Sequence, residues 1–310
     1  MAGERDDIIE TGRPEGARRR TGAGAGIAVL LVLAAVTVSG LLSGPEPGEV
    51  PPSPPSRPSP SSAAPTGGAS PALSDDPAPN VLRPRARHRD GREILDLVFP
   101  DGTAAELSYP AGLGLAELGV RPAYGGWPDG RPGLFRLLVA PSGGPERDGS
   151  PIRSMAERVT LWPPVSPAEG DVLLFDFAPW YVALHDSKEG MAFEDRLLWA
   201  RGLRGRTTGN GYLVLTAGPP LRLARPGELF GEEPAGPQLW FGGARETLVV
   251  MAPMPGCDAG RIRMAMIGER RRFSAETCRD GVYVAASGER GHVERVIDGV
   301  RFRPGRTPVP

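Results

Sequence analysis

EILDLVFPDGTAAELSY, residues 93–109, is the stretch on which the fold turns. Two apolar runs, Glu93–Phe99 and Thr103–Tyr109, flank Pro100-Asp101-Gly102. Proline presets φ, aspartate bonds its own backbone and glycine accepts a positive φ. The triplet therefore reads as a turn, and the runs beside it as an antiparallel hairpin. Similar short runs between Gly/Pro punctuation continue along the chain. They are Leu134–Val139, Arg158–Trp162, Asp171–Phe177, Trp180–Leu184, Tyr212–Thr216 behind an Asn210-Gly211 turn, Thr247–Met251 and Val282–Ala286.

Helical signals are fewer. Leu197, Leu198 and Ala200 suggest a short helix over Glu194–Leu203. Val293, Val296, Ile297 and Val300 follow the spacing of an amphipathic helix, with Ser287 as its expected cap. The expected fold is mostly β or α+β: antiparallel sheet with one or two short helices, preceded by a single transmembrane helix and a disordered linker. The globular domain is expected over 81–306, about 225 residues, enough to bury a core. The Pro/Gly-rich segment 217–237 is where it could divide.

Upstream, Gly22–Leu42 is a charge-free apolar run of 21 residues. At ~1.5 Å rise per residue a helix of that length spans the ~30 Å hydrocarbon layer. Arg18, Arg19 and Arg20 precede it, and the first basic residue beyond it is Arg57. The positive-inside rule then keeps residues 1–21 in the cytoplasm and exports the chain beyond residue 42. The run is longer than a cleaved signal's apolar core, and no cysteine stands after it to be acylated. The 1–21 tail is polar and too short to fold alone. Residues 43–80 are dominated by Pro, Ser, Ala and Gly, and proline excludes both helix and sheet. Fully extended, such a spacer reaches on the order of 100 Å.

Just past the linker stand Arg83, Arg85, Arg87, His88, Arg89 and Arg92. They read either as a contact for an anionic wall polymer or lipid surface, or as a solvated, charge-rich start to the domain. The formal net charge of the chain is −1, which gives no reason to expect a nucleic-acid partner. All but one of the 36 Lys and Arg residues are arginine, the codon signature of a high-GC bacterial genome.

Motifs of known chemistry are missing. Lys188, the lone lysine, completes neither a Walker A loop nor a Ser-x-x-Lys site. There is no G-x-S-x-G elbow and no H-E-x-x-H. His88, His185 and His292 are far apart, so no metal site, cofactor or catalytic set is assigned. His185-Asp186 reads as a polar turn closing a strand rather than a catalytic pair with Ser154. Asp171, Asp176, Glu194 and Asp195 are the carboxylates a hydrolase would draw on. Trp127 and Trp162 sit among prolines and glycines, where exposure would let them stack on a sugar, and are the candidate ligand-binding residues. Trp180 and Trp240 adjoin strands and read as core.

Cys257 and Cys278 lie on the exported side, where an even pair is expected to bridge. Strands Arg261–Ile267 and Arg272–Thr277, joined by Gly268-Glu269-Arg270, are expected between them. In a second reading, Ala275-Glu276-Thr277-Cys278 with Arg290 twelve residues later resembles the Thr-Cys and downstream arginine of sortases. That resemblance implies a β-barrel transpeptidase with Cys278 as nucleophile. It competes with the bridge, and Gly291-His292 falls on the opposite side of the cysteine from the sortase histidine. The layout of anchor, linker and exported domain resembles many exported proteins of high-GC Gram-positive bacteria. The expected function is that of a single-pass, membrane-anchored, non-enzymatic module binding a cell-wall polymer or another envelope protein. The alternative is an envelope hydrolase or sortase-like transpeptidase.

Overall fold

The computed structural model describes residues 80–305 except 142–149, 165–168, 244–246, 265–266 and 268–272. The expected tail, membrane helix and linker up to residue 79 lie outside the described residues, as does the turn expected at Gly268-Glu269-Arg270. Among the described residues no helix is long and apolar enough to cross a membrane. The described chain is mostly antiparallel sheet with a few short helices. Asn80, expected at the end of the linker, is buried, and its side-chain oxygen accepts the Tyr181 N–H at 2.6 Å.

β1 (Arg87–Arg89), β2 (Arg92–Val98) and β3 (Ala104–Pro110) form a meander. Asp90-Gly91, at φ 51° and 71°, turns the first pair. Positive φ at both positions matches the twist of paired strands. At the second turn Asp101 accepts from Thr103 N at 2.9 Å and Thr103 Oγ1 at 2.7 Å, and Gly102 takes φ 90°. Side chains then alternate: Leu95, Leu97, Leu107 and Tyr109 are buried, while Asp96 is exposed and Ile94, Glu106 and Ser108 are half-buried on the outer face.

After a one-turn helix, α1 (Leu115–Leu118), comes β4 (Val120–Pro128), buried along its whole length. Then follow β5 (Arg136–Val139), β6 (Arg153–Ala156), β7 (Val159–Trp162), β8 (Val172–Phe177) and β9 (Trp180–His185). Helix α2 (Phe193–Gly202) leads to β10 (Leu203–Thr207), β11 (Leu213–Ala217), β12 (Leu221–Leu223), β13 (Leu229–Phe230) and β14 (Glu233–Pro234). β15 (Gln238–Gly242), β16 (Leu248–Pro253), β17 (Phe273–Arg279) and β18 (Val282–Gly288) come next. The large sheet runs β17-β18-β16-β15-β4-β5-β9-β8-β7-β6, antiparallel throughout, and β12 also pairs with β4. The segment 217–237 is therefore not a break, because β12 inside it is hydrogen-bonded to the central strand. Helix α3 (Arg290–Gly299) and β19 (Arg301–Pro304) return the chain to β3, completing a four-stranded small sheet.

One apolar core fills the space between the inner face of the small sheet, α3 and one face of β15, β16 and β18, with Leu95, Leu107, Phe241, Val249, Val284 and Val296 among its members. The opposite face of those strands carries Trp240, Val250 and Tyr283. β16 thus reads as an uninterrupted apolar run because both its faces are covered. A third cluster, including Phe175, Leu184, Trp199 and Leu213, holds β8, β9, α2 and the β10–β11 hairpin together.

Three expectations need correction. The described residues of the expected strand Arg261–Ile267 are not strand: Ala259–Arg261 is a 3-10 turn capped by Asp258, whose carboxylate accepts the Gly260 N–H at 3.0 Å, and Ile262–Met264 has no strand partner among the described residues. The partner of β17 is β18, reached through Asp280-Gly281 at φ 53° and 77°. Ser287 does not cap α3; it is buried inside β18, and Glu289 occupies the cap position.

Candidate functional site

The outer face of the small sheet gathers charge from both ends of the described chain. Antiparallel pairing sets Arg87 opposite Ile94, Ile94 opposite Ser108, and Ser108 opposite Arg301. In the neighbouring row Asp96 faces Glu106 and Glu106 faces Arg303. In these two rows the edge strands carry the arginines and the middle strands the carboxylates, and one further arginine, Arg92, stands on β2. Arg87 spans the floor, its guanidinium 2.9 Å from Asp96 and 3.2 Å from Glu106. These carboxylates, Glu106 first, raise the Arg87 pKa above its ordinary value. Arg92 donates to Ser108 Oγ at 2.7 Å and to the Gly299 carbonyl at 2.7 Å, tying the sheet to the end of α3.

Arg83, Arg85, Arg92, Arg301 and Arg303 make no ion pair among the described residues. Arg89 meets only its exposed neighbour Asp90, at 3.3 Å. Among the described residues Arg301 donates only to the Asp298 and Val300 carbonyls, at 2.6 and 2.7 Å. Three hollows adjoin on this face. One of about 730 Å³ is lined by Arg89, Arg92 and Arg301 among others. It shares Arg87, Glu106 and Arg303 with a second of about 530 Å³. The second shares Asp96 and Asn210 with a third of about 470 Å³, walled by Arg83, Arg85 and Tyr212. Together they make an open groove with arginine rims and an acidic floor that Arg87 partly neutralises. His88 borders the 730 Å³ hollow, but its ring turns to Glu93, Nε2 lying 3.1 Å from that buried carboxylate. Burial, and next the Glu93 carboxylate, push the Tyr109 hydroxyl well above its usual range.

The tryptophans expected to be exposed are not. Trp127 lies on β4, not in a loop, and is 9% exposed. One face is covered by the Arg222 guanidinium at 4.1 Å, and Phe135 packs against it at 5.9 Å. Arg222 is itself forked onto Glu228 at 2.8 and 3.0 Å, which holds the Glu228 carboxyl below its ordinary pKa. Trp162 ends β7, half-buried, with Nε1 donating to Thr160 Oγ1 at 2.8 Å. The two belong to separate apolar clusters and do not form one platform. Trp180 and Trp240 are core residues, as expected.

Cys257 and Cys278 form a disulfide with Cα atoms 5.8 Å apart, which leaves no thiolate for a nucleophile at Cys278. Arg290 stacks over the Phe273 ring at 4.1 Å and lies 3.7 Å from Glu294. The hydrolase carboxylates do not converge. Asp171 pairs with Arg196 at 3.0 Å, Asp195 with Arg131 at 2.7 Å, and Asp176 accepts the Ala178 N–H at 2.9 Å. Glu194 is exposed in the first turn of α2. Asp186 is buried, and its carboxylate takes Arg136 at 2.8 Å, Arg196 at 3.2 Å and the backbone N–H groups of Ser187 and Met191. Among the described residues no three His, Cys, Asp or Glu side chains are placed to hold a metal ion. Arg18, Arg19 and Arg20 lie outside the described residues.

Compared with known proteins, the chain matches no family model, no curated sequence and no solved structure. Only half of the groove is signalled in the sequence. The run from Arg83 to Arg92 stands out as charge, but Arg301 and Arg303 join it solely through the pairing of β19 with β3.

Proposed function

We propose that the chain is a single-pass, membrane-anchored protein with a cytoplasmic N-terminus and an extracytoplasmic β-rich domain that binds an anionic component of the cell envelope. The arginine-rimmed groove on the small sheet is its binding surface, and binding rather than catalysis is its task. The observation that carries this reading is the set of exposed arginines on both rims, Arg83, Arg85, Arg301 and Arg303, without carboxylate partners among the described residues. Such charges attract polyanions over a Debye length of ~10 Å. The Cys257–Cys278 bridge supports an oxidising, exported location. The apolar run at 22–42 supports the anchor, and the proline-rich linker supports a domain held clear of the bilayer.

The test is co-sedimentation of the full-length protein, in detergent micelles, with purified wall sacculi. An Arg85→Glu, Arg303→Glu variant is expected to lose affinity by on the order of tenfold or more, since each arginine near an anionic surface is worth ~1 kcal/mol. Its melting temperature should not move, because neither residue makes an ion pair among the described residues. Undiminished binding by a folded variant would refute the proposed surface.

A further inference from the structure

We infer that the groove takes a linear phosphate polymer laid along its row of hollows, between the two arginine rims. The inference rests on the anion-binding reading above and narrows it to one occupant. A compact anion would need donors converging on a point, and here they do not converge. Arg87 is held by Asp96 and Glu106, and Arg92 by Ser108 and Gly299. The remaining cations stand on opposite edges of a four-stranded sheet, with three strand spacings, ~14 Å, between them. On the β19 edge Arg301 and Arg303 stand two residues apart, and on the β1 edge Arg89 is joined by Arg83 and Arg85 of the segment before it.

The shape argues the same way. The three hollows adjoin in a row and are open, so an extended chain fits along them and its ends can leave. The floor sets a cost that the rims must outweigh: Asp96 and Glu106 carry one charge more than Arg87 neutralises and oppose phosphate groups above them. Planar guanidinium forks on the rims match phosphate oxygens and hold the chain at both sides of that floor.

The probe is long-chain inorganic polyphosphate, titrated against the full-length protein in neutral detergent micelles. Inorganic phosphate, tripolyphosphate and phosphatidylglycerol vesicles are the comparison arms. Affinity should rise with chain length and fall roughly 100-fold between about 50 and 200 mM salt if about five phosphates are engaged. Neutralising either rim, Arg85→Gln with Arg89→Gln or Arg301→Gln with Arg303→Gln, should each cost on the order of tenfold. Asp96→Asn should strengthen binding, a gain that a merely structural role for the face would not produce. Equal binding of monophosphate and polymer, tighter binding to vesicles than to polymer, or dependence on one rim alone would overturn the linear-polymer inference while leaving an anion-binding face. No binding to polymer or vesicles, with both rims indifferent, would overturn the face itself.

Discussion

Beside the large sheet Arg136 of β5 and Arg196 of α2 converge on the buried carboxylate of Asp186, and Arg196 continues to Asp171. On the small sheet Arg301 and Arg303 stand exposed, with no carboxylate partner among the described residues. The residue type is the same and its use is opposite. A guanidinium taken out of water has to be paired and hydrogen-bonded, and once paired it is fixed. An exposed one keeps its hydration until a ligand replaces it. The comparison separates structural arginines from available ones by their partners, which a count of arginines would miss.

The sharpest way to break this contrast is to remove the buried acceptor. Asp186→Ala leaves Arg136 without a carboxylate and Arg196 with Asp171 alone, and their side chains are only 13% and 16% exposed. It also frees the Ser187 and Met191 N–H groups that order the segment between β9 and α2. The expected loss is about 3–5 kcal/mol, read as a fall of roughly 10 °C in melting temperature. A change below about 1 kcal/mol would place Asp186 with the surface ion pairs and dissolve the distinction.

The second test concerns β4, whose backbone has as little freedom as the Asp186 carboxylate. A Cβ on Gly125 would lie 2.5 Å from the Phe135 ring and 2.6 Å from the Ala235 carbonyl oxygen. Gly125→Ala should therefore cost about 1–3 kcal/mol in chemical denaturation. A neutral result would show that the Phe135 side chain and the 235 backbone yield, so that the centre of the large sheet is softer than its burial implies.

How much of this could be read in advance differs between the two regions for physical reasons. The 93–109 hairpin was legible because turn chemistry and alternation agree within one short segment. β4 was not, because Pro122, Gly125, Gly126 and Pro128 look like loop punctuation. In the fold Gly126 lets the strand come so near the Arg222 carbonyl that a Cβ would sit 2.7 Å from its oxygen, an approach no other residue allows. The same context made Trp127 look exposed, when Arg222 and Phe135, distant in sequence or across a turn, cover it. Between the cysteines, Ile262, Met264 and Ile267 are buried while Arg261 and Arg263 pair at the surface. The apolar periodicity there reported burial truthfully but not strand pairing. The disulfide followed from the expected compartment and the even number of cysteines alone. The groove was half legible, since a charge run is local and a sheet register is not.

The smallest expected effect lies at the seam between the two regions. Helix α3 packs on β17 and β18 and supplies the Gly299 carbonyl that anchors Arg92 of the small sheet. His292 on this helix has a buried Nε2 with no hydrogen-bond partner among the described residues. Burial first, and then repulsion from Arg295, lower its pKa below that of a free imidazole, with Glu289 acting in the opposite sense. Between the free value of ~6.5 and the lower folded value, the unfolded chain binds the proton that the folded chain refuses. Stability contributed by the neutral ring is thus complete above the free value and declines as pH falls through that window. Melting curves on either side of it should show the wild type losing more than His292→Gln does on acidification. Parallel losses would mean that α3 accepts the charge by a small shift. The seam would then be looser than either sheet, and the register that sets Arg301 and Arg303 beside Arg87 would depend on the β3–β19 pairing alone.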